Sequence, residues 1–198
     1  MNFYTNVLQR GNQLFVRAVV NGQRQNFKIR YRPTLFSPVN QETGYKTLDG
    51  VSVLPIEFDS IKEAKEWADN YKSQTDQVYG NTQFAYNYIS DTYKNQVNWD
   101  LDKILIVTID IEVECENGFP AVRTAAEPML SITIKNHQNK KIVVFGLHEF
   151  QNNRDDVTYI QCESEIHLLK EFLIFWEKHQ PDVITGWNTE FFDIPYLC

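Results

Sequence analysis

Residues 104–114 read ILIVTIDIEVE, and no other stretch limits the fold so sharply. On an extended chain successive side chains take opposite faces, so Val107, Ile109, Ile111 and Val113 point one way and Thr108, Asp110, Glu112 and Glu114 the other. Such a segment is a strand with one face on a core and an acidic face left open. Two residues of rise separate the stems of Asp110 and Glu112 by roughly 6.6–7 Å, within reach of one shared metal or of two metals about 4 Å apart. The solvated face of an edge strand carries the same alternation, so the pair alone leaves both readings open.

The sequence that follows builds a layer around this strand. Residues 129–135 and 141–147 are further strand signals joined by short polar connections, which pairs neighbours antiparallel. Over 164–179 the spacing predicts a helix with Ile166, Leu169, Leu173 and Trp176 on one stripe, widened by Leu168, Phe172 and Phe175. Pro181 ends it, residues 182–187 return as a short strand, and 188–198 open another helix. The expected order is β, β, β, α, β, α. Within the run GWNTEFFDIPY at 186–196, Asp193 falls where a strand ends and a helix starts. Ligand sites of α/β layers gather at such places, although a plain N-cap aspartate fits there as well.

The front of the chain has a different texture. Asn21-Gly22 is a hairpin turn between strand signals at 14–20 and 26–31, and Asn12-Gln13 marks the turn before them. Pro33 and Pro38 interrupt regular structure around Thr34, Leu35 and Phe36, and a compact turn region is expected up to Pro55. Ser60 and Glu63 form a capping box for an amphipathic helix over 60–72, with Ile61, Ala64, Ala68 and Tyr71 on one face. The aromatic segment 83–93 is expected to pack between the two halves of the chain. Charge divides too: residues 1–41 hold six basic side chains and no acidic one, against 13 basic and 26 acidic over the rest. Arg17, Arg24, Lys28, Arg30 and Arg32, interleaved with Phe15, Phe27 and Tyr31, suit contact with phosphates and bases, and equally suit a solvated basic sheet.

With 42% hydrophobic residues the chain can bury one sizeable core or two small ones. No run approaches the roughly 20 apolar residues of a membrane span, and the start has neither the basic patch nor the apolar run of a signal peptide. A cytosolic protein without membrane association is expected. Cys115, Cys162 and Cys198 lack the spacing of a zinc site or disulfide framework and are expected as reduced thiols, with Cys115 idle for want of an activating histidine. His167 and His179 stand at opposite ends of the long helix and are expected as surface or capping residues.

Thr108-Ile109-Asp110-Ile111-Glu112 resembles the first exonuclease motif, DxE, of the family B DNA polymerases, and Asn188, Phe192 and Asp193 resemble their second, Nx2-3FD followed by PY. The stretches YRPTLF at 31–36 and YISDTY at 88–93 resemble the N-terminal domain of the same family, in the replicative type of T-even-like phages. The resemblance thus runs through all 198 residues. It implies a mixed α+β / α/β architecture, with a β-rich N-terminal domain over 1–100 and an RNase H-like 3′–5′ exonuclease domain over 101–198 that is incomplete at its C-terminal end. It implies Mg²⁺ or Mn²⁺, two ions, with Asp110 contacting both, Glu112 holding the ion that activates water and Asp193 the ion at the leaving oxygen. Asn188 and Phe192 would meet the single-stranded 3′ end; of Trp187, Phe191 and Phe192, at least two are expected in the core. The front domain would contact the template strand, with RNA, including the polymerase's own messenger, as a further candidate.

The same resemblance places the third motif, a tyrosine followed by a fourth acidic ligand, downstream of Cys198, so that the remainder of the polymerase chain is itself a partner. The parent reaction would be DNA-directed DNA synthesis with proofreading, in phage DNA replication in the host-cell cytoplasm, and these residues alone are expected to be nearly inactive. A non-catalytic nucleic-acid-binding or regulatory module, or one half of a split polymerase, are the alternatives.

Overall fold

A computed structural model describes residues 2–74, 76–95, 97–115 and 118–198. The chain divides into two compact units, Met1–Lys103 and Ile104–Cys198.

The first unit is built on β1 (Phe3–Arg10), β2 (Gln13–Val20) and β3 (Gln23–Ile29), an antiparallel sheet in that order. Asn21 and Gly22 join β2 to β3 with φ of 52° and 79°, the left-handed pair that a tight hairpin requires. β1 carries no strand signal of its own; it exists because β2 offers it an edge, paired from Phe3↔Val19 to Arg10↔Gln13.

The expected turn region between Pro33 and Pro55 is instead a second antiparallel sheet. It consists of β4 (Thr34–Pro38), β5 (Tyr45–Lys46) and β6 (Ser52–Glu57), in the order β4-β6-β5. Geometry explains why the prolines are tolerated. Phe36 exchanges both backbone hydrogen bonds with Tyr79, each at 2.9 Å, so its partner across the β4–β6 ladder, Pro55, belongs to a non-hydrogen-bonded pair. The Pro55 nitrogen therefore faces the side where β5, which reaches only Val53, has already ended, and no ladder bond is lost.

Helix α1 (Ile61–Asp69) opens on half of the expected capping box: Ser60 Oγ accepts from the Glu63 amide at 3.2 Å, whereas the Glu63 carboxylate accepts at 3.0 Å from the amide of Asp59, one residue before the N-cap amide that the reciprocal bond would use. The aromatic segment forms helix α2 (Phe84–Thr92), which buries Phe84 and Tyr88 in the first unit's own core with Leu14, Val16, Leu35 and Ile61. Tyr31 meets Tyr88 edge-on at 5.8 Å between ring centroids and donates its hydroxyl to the Asp91 carboxylate.

The second unit has the elements β7 (Ile106–Val113), β8 (Met129–Asn136), β9 (Ile142–Gly146), β10 (Val157–Gln161), α3 (Glu165–His179), β11 (Val183–Thr185) and α4 (Asp193–Leu197). Its sheet runs β10-β9-β8-β7-β11, with β7, β8 and β9 antiparallel and the two outer strands parallel to their neighbours. The expected order lacked one strand, β10. Its five residues follow a polar loop and carry too little alternation to stand out, and it is held by the free edge of β9.

The stripe of α3 meets the core through Leu168, Leu169, Phe172, Phe175 and Trp176 as expected, and departs from expectation at Ile166 and Leu173. Leu168 and Phe172 are buried, while Ile166 and Leu173 are 66% and 59% exposed. The helix contains apolar residues on more than one face, and Phe145 of the sheet selects among them, meeting Phe172 and Phe175 edge-on at 6.2 and 5.8 Å. Ser164 caps the helix by accepting from the His167 amide at 3.3 Å, and His179 stacks on Phe175 at its far end, as their terminal places suggest. The last helix starts at Asp193 and not at 188, because Asn188 takes a left-handed φ of 59° and the next residues turn. Among the described residues no helix is long and apolar enough to cross a membrane.

Candidate functional site

The strand β7 separates its side chains as its sequence demands. Val107, Ile109 and Ile111 are buried against Ile132, Ile134, Phe145 and Leu168, and Asp110 and Glu112 are exposed on the opposite face. One edge of β7 is paired with β8 along its length, but on the other edge β11 reaches only Ile106, Val107 and Thr108. Beyond Thr108 the amides of this edge need other acceptors. Asp193 supplies one: it is only 2% exposed, and its Oδ1 accepts from the Ile111 amide at 3.0 Å. A buried carboxylate thus stands where the neighbouring strand has stopped, between the two acidic residues of β7 in sequence register.

The segment from β11 to α4 is shaped to deliver it. A Cβ on Gly186 would lie 2.6 Å from the Ile109 carbonyl oxygen and 2.0 Å from Thr189 Oγ1, so only glycine lets the chain cross the edge of β7 this closely. Asn188 then reverses the chain, its carbonyl accepting from the amides of Phe191 and Phe192 at 3.0 and 2.9 Å. The hydroxyl of Thr189, pressed on Gly186, is buried without a hydrogen-bond partner among the described residues. Helix α4 is anchored by Tyr196, whose hydroxyl donates to the Glu127 carbonyl at 2.7 Å and accepts from the Glu127 amide at 3.1 Å.

Burial first, and the negative charge of Asp193 second, push the Asp110 carboxyl above the usual carboxylate range. The Asp193 charge thus acts on Asp110, and Glu112 stands one pleat further along the same face of β7. Among the described residues no three acidic, histidine or cysteine side chains converge into a ready-made metal cluster. The donor set still fits a hard divalent cation. All three groups are carboxylates, one oxygen of Asp193 is not used by the Ile111 amide, and a cation is the counter-charge that the Asp110–Asp193 repulsion calls for.

The aromatic residues behave differently from expectation. Only Phe192 packs inward, 4.9 Å from Phe119 and 5.5 Å from Tyr196 between ring centroids, while Trp187 and Phe191 are 92% and 73% exposed. The tight crossing at Gly186 spends the inward direction on Thr189 and Phe192, which leaves both other rings outside. Phe119 is exposed as well, and nothing in its local spacing marks it.

In the first unit, Arg17, Arg24 and Lys28 share the sheet face opposite Leu14, Val16 and Ala18. Arg17 Nε donates to Asn26 Oδ1 at 3.2 Å, and Lys28 Nζ lies 5.1 Å from the Phe15 ring centroid. Arg30 follows the end of β3, and Arg32 is paired with Asp59 at 2.7 Å. Arg10, which the hairpin pattern passes over, joins the same face with its guanidinium carbon 5.9 Å from the Phe15 centroid. The three cysteines are free thiols; Cys162 is buried, and Cys115 and Cys198 are exposed.

Comparison with known proteins bears on the whole chain. The family model for the exonuclease domain of DNA polymerase family B matches residues 58–198. Over 98% of its length the chain is 29% identical to the DNA-directed DNA polymerase of Escherichia phage RB69, covering 25% of that protein. It is 28% identical over the same share to the DNA-directed DNA polymerase of Enterobacteria phage T4, covering 24% of it. A shorter match, 31% over 46% of the chain and 9% of the relative, is to the DNA polymerase catalytic subunit of Human herpesvirus 7 (strain JI). The chain spans about a quarter of the length of the two phage relatives.

Proposed function

This chain belongs to the family B DNA polymerases, and from that premise we propose that Asp110, Glu112 and Asp193 are metal-holding carboxylates of a 3′–5′ exonuclease that trims single-stranded DNA ends. The whole protein is, on this reading, a DNA-directed DNA polymerase, as its phage relatives are named. The observation that carries the site is the burial of Asp193 at the uncovered edge of β7, beside Asp110.

Residues 1–100 are then the N-terminal domain and 101–198 the opening part of an RNase H-like exonuclease domain. The mixed five-stranded sheet, with β11 parallel to β7 on the edge opposite β8, supports that assignment. Asp110, flanked on its own face by Glu112 and across the edge by Asp193, is the group placed to share two ions. Asp193 keeps one oxygen on the Ile111 amide, which fixes the other, and exposed Glu112 has the rotamer freedom to close on a ligand. Mg²⁺ or Mn²⁺, when bound, polarises the scissile phosphate and favours in-line attack by water. Asn188 and the exposed rings of Trp187 and Phe191 would receive the 3′ end by hydrogen bonding and stacking, with Phe192 packed beneath them and closing the floor of that surface. Arg17, Arg24 and Lys28, with Phe15, offer the first unit's contact to a DNA backbone.

The test is an isothermal titration of Mn²⁺ into the 198-residue chain, paired with Mg²⁺-dependent digestion of single-stranded DNA by the full-length protein. The Asp110→Ala, Glu112→Ala double variant is expected to lose both, by at least about a hundred-fold in hydrolysis. Wild-type digestion by that variant would remove these residues from the site.

A further inference from the structure

A cleft of about 510 Å³ in the first unit is walled by Arg10 at the end of β1, Asn12 in the β1–β2 turn, Arg30 after β3, and Ser60 at the start of α1. Its charge is unusual. Among the described residues neither Arg10 nor Arg30 has a carboxylate partner, and the only acid on the wall, Asp59, is already paired with Arg32 at 2.7 Å. Arg10 rests against the Phe15 ring, which holds the guanidinium without neutralising it. Two amides of the helix start are already taken: the Lys62 amide donates to Asn12 Oδ1 at 2.9 Å and the Glu63 amide to Ser60 Oγ at 3.2 Å. Those two bonds do something else. With Oδ1 fixed on the helix, Asn12 turns its Nδ2 donors away from it, and Ser60, accepting through Oγ, keeps its own proton to give. The cleft therefore gathers two guanidiniums without a carboxylate partner among the described residues, and two neutral side chains able to donate.

We propose that this cleft binds a phosphate group through Arg10 and Arg30, a site independent of the carboxylates of the second unit. Planar forked donors match phosphate oxygens, and two of them facing one cavity suit a doubly charged group better than a carboxylate or chloride. The phosphate can come from a nucleic-acid backbone or from a free nucleotide or inorganic phosphate; the chemistry that recognises it is the same.

The test uses the whole 198-residue chain, observing the arginine Nε–H and the Gln13 and Ser60 amide resonances by NMR while inorganic phosphate is added. Saturable shifts at Arg10 and Arg30 are expected. R10Q and R30Q should each weaken binding at least about ten-fold, and K72Q, in the turn after α1, by less than about two-fold. A short single-stranded oligodeoxynucleotide is then added to the phosphate-loaded protein. Displacement identifies the backbone as the source, and failure to displace identifies a free phosphate compound; either outcome supports the site. Absence of shifts with both probes in the unsubstituted protein overturns it, as does wild-type phosphate affinity in both R10Q and R30Q.

Discussion

A carboxylate that substitutes for a strand has two duties, and they separate by substitution. Asp193 satisfies the Ile111 amide and, on the proposed function, holds a metal. Asp193→Asn keeps an acceptor oxygen and discards the charge, so stability in urea should change by less than about 1 kcal/mol while Mn²⁺ affinity falls at least ten-fold. Asp193→Ala leaves the buried amide without a partner and should cost about 1–3 kcal/mol as well. Equal destabilisation by both variants would contradict the hydrogen-bond role. The sequence reveals half of this site. Alternation on 104–114 puts Asp110 and Glu112 on one face without any knowledge of the fold, because strand geometry is local. The bond from Asp193 to Ile111 spans 82 positions, and no local rule distinguishes it from a helix cap. For the same reason the outward direction of Trp187 and Phe191 is illegible: it follows from the contact of Gly186 with β7.

At the scale of elements, the periodicity of 164–179 fixes a helix and most of its buried side, Leu168, Leu169, Phe172, Phe175 and Trp176, but not the limits of that side. The structure assigns that side to Leu168 and Phe172 and leaves Leu173 in water. Leu168→Ala should therefore cost about 2–5 kcal/mol in equilibrium unfolding, and Leu173→Ala within about 0.5 kcal/mol. Similar costs for the two would show that Leu173 shares the buried side with Leu168. Strands β1 and β10 make the complementary point. Each is held chiefly by the edge of a stronger neighbour, so their signals lie in β2 and β9 and not in their own residues. Caps and tight turns, by contrast, are fully local, and Ser60, Ser164 and Asn21-Gly22 act as their residue types predict.

The whole molecule carries a net charge of −7, yet its first 41 residues are purely basic in their ionised side chains. On the proposed function, binding of single-stranded DNA should weaken with added salt, each phosphate contact contributing roughly 0.7 to the slope of log affinity against log salt. Arg17→Glu with Lys28→Glu should flatten that slope by about one to two units and leave Mn²⁺ affinity unchanged. An unaltered slope in fluorescence anisotropy across a salt series would show that this sheet face does not meet the DNA. The basic run is readable from composition; its gathering onto one face, with Arg32 diverted to Asp59, depends on register and is not. Pro55 has a consequence at this scale too. Past Val53, β6 has no paired strand on the β5 side among the described residues, and a bare strand edge is a template for a second molecule. The residue that faces that gap has no N–H to offer, so the protein can be concentrated without β6 recruiting a foreign strand at this point, and the same ring that obscured the strand in the sequence guards it against aggregation.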